Sequence, residues 1–94
     1  MKIGEAIHIC RVKRKIKQKD LAKAIQISPS LLSMIEKGSR DPGFELTEKI
    51  AKKLNTPIQL ILLLACEPMR EGKKYKKQIN IIARVALDIY TKLE

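Results

Sequence analysis

The chain has 94 residues, 45% of them hydrophobic and only three aromatic, which suits one small helical domain with an aliphatic core and leaves no material for a second. Twenty Lys and Arg against ten Asp and Glu give a formal charge of +10, and residues 1–42 alone carry ten basic and four acidic residues. That surplus is the electrostatic footprint of a polyanion binder. The chain holds no glycine-rich phosphate loop, no cysteine with a candidate base and no paired acids in a plausible pocket, which argues against catalysis.

The first helix is expected over Ile3 to Lys15, with Ile3, Ile7 and Arg11 on one stripe and basic residues beside it. His8 is the only histidine and has no second ligand at metal-binding spacing, so it reads as a partly exposed helix residue. Cys10 and Cys66 are too few and too far apart for a zinc site. No metal, cofactor or catalytic residue is expected. The basic start MKIGEAIHICRVKRK does not read as a secretory signal, which fits a reducing cytoplasm.

Residues 18–36, QKDLAKAIQISPSLLSMIE, carry the strongest pattern. Leu21, Ala22 and Ile25 line the inner side of one short helix, Ile27 plugs a turn, and Leu32 and Ile35 line the inner side of a second. Ala22 sits where the two would cross most closely. Ser28 followed by Pro29 makes a good helix start, since the hydroxyl can accept a backbone N–H and proline gives up a donor that had no partner. Gly38 suits the left-handed residue that ends a helix. This is a helix-turn-helix pattern, and Ser28, Pro29, Ser30, Ser33 and Met34 then fall where a recognition helix meets base edges in a major groove. Gln18, opening the first of the two helices, is placed to grip a phosphate. Lys17, Lys19, Lys37 and Arg40 flank the motif as backbone clamps.

A fourth helix is expected from Pro42–Phe44 to Leu54, with Phe44, Leu46, Ile50, Ala51 and Leu54 as its apolar side and Asn55 as its stop. A fifth starts with Thr56 as cap and Pro57 at its first position and runs through Leu64. Its apolar run, Ile58 to Ala65, is far shorter than the roughly 20 residues that span a bilayer, so no membrane segment is expected. EPMREGKK, residues 67–74, combines proline, glycine and charge and reads as a linker. Beyond it, Tyr75, Ile79, Ile82, Ala86, Ile89 and Leu93 recur at spacings of four and three, a heptad seam on a helix over 75–94. Such a seam either folds back on its own domain or pairs with a second subunit.

On Gln18, Leu21-Ala22, Ile25, Ile27, Leu32, Ile35, the Glu36-Lys37-Gly38 ending, Arg11, Pro42 and Phe44, the chain resembles the phage-repressor and Cro-like (XRE) helix-turn-helix family over residues 3–65. It departs from the family at Gln26, where glycine is common, and at Pro29-Ser30, where longer polar residues are common. The resemblance implies an all-α architecture with a five-helix lambda-repressor-like DNA-binding domain over 1–66, to which the heptad spacing adds the C-terminal amphipathic helix. It also implies a structural ion pair between Arg11 and Glu36. The function it implies is sequence-specific binding of double-stranded DNA by a transcriptional repressor, as a homodimer on a palindromic operator; the C-terminal seam, which the family does not cover, is the favoured dimer contact on its own spacing. The alternative is an antitoxin-like or other interaction module whose last helix captures a second protein.

Overall fold

The computed structural model describes residues 1–66, 85–89 and 91–92, and every regular element among them is helical. The order is α1 (Ile3–Lys13), α2 (Gln18–Ala24), α3 (Pro29–Lys37), α4 (Gly43–Lys53) and α5 (Ile58–Ala65), with a further helical stretch at 85–89. Helix α1 lies centrally, against α3 and α5; α2 packs on α3 and α4, and α4 on α5. The core is aliphatic, as the composition demands. Ile7, Leu21, Leu32, Ile35, Ile50, Leu54, Ile61 and Leu64 are fully buried, so every helix supplies at least one large side chain. Each such burial stabilises the fold by about 1.5–3 kcal/mol before conformational entropy is counted.

Gly4 sets the distance between α1 and α3. A Cβ built on it would run into the carbonyl oxygen of Ile35, so the α1 backbone rests directly on the end of α3. No other residue type allows that approach.

One device ends the first four helices. A residue in the left-handed conformation turns the chain, and the next amide reaches back to a carbonyl of the last turn. In α3 the turning residue is Gly38, with φ +82°, and Ser39 N–H donates to Met34 O at 3.0 Å. In α1, α2 and α4 it is Lys15, Gln26 and Asn55, with φ 59°, 61° and 49°. There Ile16, Ile27 and Thr56 donate to the carbonyls of Arg11, Ala22 and Ala51 at 3.2, 3.0 and 3.0 Å. The early turn at Lys15 closes α1 at Lys13, two residues short of the expected end.

Two further expectations are corrected. Thr56 does not cap α5: its amide is spent closing α4 and its hydroxyl donates to Leu54 O at 3.0 Å, so α5 starts after Pro57, which occupies the cap position and not the first helical one. Phe44 is not core but 65% exposed. It lies on the stripe of Thr47, Ile50, Ala51 and Leu54 but a full turn before the first buried member. Thr47 is that member, its hydroxyl satisfied by Gly43 O at 2.6 Å.

The helical stretch at 85–89 is docked on the domain. Leu87, which is not part of the heptad seam, is fully buried and joins the common core, and Asp88 pairs with Lys13 of α1 at 2.7 Å. Of the seam, Ala86 is half-buried and Ile89 is 56% exposed. The seam residues Tyr75, Ile79, Ile82 and Leu93 and the linker at 67–74 lie outside the described residues. Among the described residues no helix is long and apolar enough to cross a membrane.

Candidate nucleic-acid interface

Helices α2 and α3 with the turn between them form the motif, and local chemistry accounts for its shape. Leu21, Ala22 and Ile25 are buried on one side of the turn, Leu32 and Ile35 on the other, and Ile27 is half-buried between them. The Ser28 side chain accepts from Leu31 N–H at 3.0 Å, capping α3, and Pro29 follows at the first helical position. The Ser28 hydroxyl oxygen is therefore engaged in the fold, and its O–H remains as donor.

The residues of α3 divide into two opposed stripes. Leu32, Ile35 and Glu36 are buried. Ser30, Met34 and Lys37 are exposed and Ser33 is half-buried, at spacings of three and four, so they share the opposite flank, with exposed Pro29 beside them at the helix start. Lys17 stands exposed at the cap position of α2, Gln18 is half-buried as its first residue, and Lys19 is exposed. Arg40 is exposed in the segment that leaves α3. The motif thus presents a small, uncharged ridge of serine, proline and methionine, with cations before and after it in the chain.

The other end of α3 is gripped by α1. Arg11 Nε donates to Glu36 Oε2 at 2.8 Å and Nη2 to Oε1 at 3.0 Å, a two-pronged pair, while Nη1 donates to Ile16 O at 2.7 Å. His8 Nδ1 lies 2.7 Å from the same Oε1. The Glu36 side chain is 3% exposed, Arg11 11% and His8 51%, so the carboxylate is sealed and its partners come from the surface side. Burial pushes the Glu36 carboxyl up, but the hydrogen bonds and charges of Arg11 and His8 outweigh it and hold the group below its ordinary value of 4.5. Glu36 is a buried anion in the motif, kept ionised by α1. Lys2 adds a further tie, donating from Nζ to Gly38 O at 2.8 Å.

His8 and Gly4 are the contributors that the residue pattern did not place in the site. A lone histidine one helical turn before Arg11 is the only trace the first leaves in the sequence. Gly4, in the first turn of a helix where glycine costs stability, marks the second. Cys10 is buried, and burial lifts its thiol to about 11, so it is an unreactive core residue. Among the described residues no three of His, Cys, Asp and Glu come together as a metal site.

A family model described as helix-turn-helix matches residues 7–61, more than half of the chain, running from α1 into α5. No curated protein and no solved structure gives a significant match. That family is one of DNA-binding domains and not of enzymes, and its kind of function is transcription regulation. The chain belongs to the helix-turn-helix family of the XRE, Cro and phage-repressor type.

Proposed function

We propose that the chain is a sequence-specific transcriptional repressor of the cytoplasm that occupies a palindromic operator as a dimer, with α3 in the major groove. The observation that carries this reading is the division of α3 into a buried stripe and an outward one made of Pro29, Ser30, Ser33, Met34 and Lys37. A helix with that outer surface can approach base edges closely. Serine hydroxyls bond to several bases and a methionine can touch a thymine methyl, so discrimination is spread over several modest contacts. Gln18 and the start of α2 hold a phosphate, and Lys17, Lys19, Lys37 and Arg40 hold its neighbours. Each phosphate neutralised adds about 0.9 to the slope of log affinity against log salt. Two copies on one duplex would place their α3 helices roughly 34–36 Å apart, one helical turn of DNA.

The test is a gel-shift titration on a duplex that the protein itself selects from a random library. Ser33→Glu sets a negative charge against the groove and should weaken binding by more than about 100-fold, since facing like charges cost several kcal/mol. The helical circular dichroism should not change. Full binding by the variant refutes the docking. The mass of the bound complex reads the dimer: one copy per selected site would remove it from the proposal.

A further inference from the structure

We infer that His8 is a positioning residue for the recognition helix: it holds the Glu36 carboxylate against Arg11 and so sets the end of α3 from which Lys37 and Arg40 project. The inference rests on the DNA-binding reading above and adds to it a residue that touches no DNA.

The geometry requires a hydrogen on Nδ1 of His8. An ionised carboxylate only accepts, so at 2.7 Å from Oε1 the Nδ1 of His8 carries the hydrogen, and the imidazole is fixed as that tautomer or as the cation. Arg11 Nη2 lies 3.3 Å from the same Nδ1; both are donors, and both hydrogens converge on Oε1. Arg11 cannot turn to serve that oxygen from another side, because Nη1 is anchored on Ile16 O and Nε on Oε2. The histidine contact is the shortest of the three to the carboxylate. With Arg11 alone, Glu36 is held along one edge and can swing about it. With His8 as well, Oε1 is held by a second donor.

Position in the chain turns this into a matter of DNA contact. Glu36 is the penultimate residue of α3; Lys37 follows it, and the turn at Gly38 leads to Arg40. A small swing of Glu36 therefore moves two proposed phosphate contacts relative to the serine ridge. A misplaced phosphate contact disturbs register, which a selected site requires and a random duplex does not.

The test uses the full chain with His8→Ala, His8→Asn and His8→Gln. The Asn side chain places an N–H the same number of bonds from the backbone as Nδ1, whereas Gln places it one bond farther. His8→Ala should bind the selected duplex about 3- to 10-fold more weakly, equivalent to about 0.6–1.4 kcal/mol. Its affinity for an unselected duplex of equal length should not change. Asn should recover most of the loss and Gln little of it. Nitrogen-15 spectra of the parent should show His8 protonated at Nδ1, and amide exchange at Glu36, Lys37 and Gly38 should quicken in the Ala variant. The inference is overturned by an Ala variant that binds like the parent, by a loss equal on both duplexes, or by rescue from Gln as full as from Asn. If the parent selects no duplex, the functional proposal fails instead, and amide exchange alone decides: unchanged rates at residues 36–38 end the positioning role.

Discussion

At its first turn α3 is shaped by its own neighbours in sequence: Ser28 caps it, Pro29 pre-shapes it, and Ser30 faces solvent while Leu32 turns into the core. At its last turn it is held by another helix, through Gly4 against the Ile35 backbone, Arg11 and His8 on Glu36, and Lys2 on Gly38. A helix with its inner stripe buried and its last turn tied to α1 offers its outward stripe to a partner without losing its orientation. The anchored end carries the polar ties to α1; the outward stripe carries the chemistry of recognition.

The contrast is tested most severely at Arg11. Arg11→Met keeps an unbranched apolar stem but leaves the Glu36 carboxylate buried without its main partner, which should cost about 3–5 kcal/mol of unfolding free energy. The sign of the pH dependence makes this specific. In the parent, Glu36 is held below 4.5 when folded, so its contribution is present above that pH and is lost as pH falls through the folded value. In the variant, burial dominates and the folded carboxyl moves up, so protonation relieves it. Urea titrations should therefore show the gap between parent and variant narrowing as pH falls from above 4.5, the ordinary value of the group, to below it. A gap that widens on acidification contradicts the anchored end as described.

Next in size is Gly4→Ala. The added methyl meets the Ile35 carbonyl, which is backbone and cannot step aside, so α1 and α3 must separate. A loss of about 1–3 kcal/mol is expected, although alanine is the better helix former by about 1 kcal/mol. Stabilisation by this substitution would show that α1 does not rest on α3 at that point.

Much of this architecture is legible in the residues, and what is not has physical causes. Caps are local, so Ser28-Pro29 and Gly38 announce both ends of α3. The aliphatic stripes of α2 and α3 follow from helical spacing alone. Phe44 fails that logic because spacing gives the face of a helix but not how far the neighbouring helices extend along it. Leu87 fails it differently. The heptad pattern draws the eye to Ala86 and Ile89, yet the residue between them fills the core, because docking is decided by the shape of the domain and not by the periodicity of the tail. In the site, Arg11 and Glu36 are suggested by the resemblance to the family. His8 reads only as a partly exposed helix residue until the fold brings it within 2.7 Å of a carboxylate 28 residues away in sequence.

The smallest effect is expected where the two ends of the motif are joined. Gln26 takes a left-handed backbone at φ 61°, a conformation that its Cβ disfavours by about 1–2 kcal/mol. Its N–H donates to Lys23 O at 3.2 Å, and the turn sets Ile27 N–H on Ala22 O. Gln26→Gly relieves the Cβ strain while increasing the freedom of the unfolded chain, and the two effects oppose each other. A net gain of about 0.5–1 kcal/mol should appear as a higher urea midpoint with an unchanged slope. Because the side chain is exposed and lies outside the ridge of Pro29, Ser30, Ser33 and Met34, affinity for the selected duplex should stay as it was. If the substitution instead lowers both the midpoint and the affinity, then the glutamine side chain, and not the backbone it tolerates, is what shapes the turn.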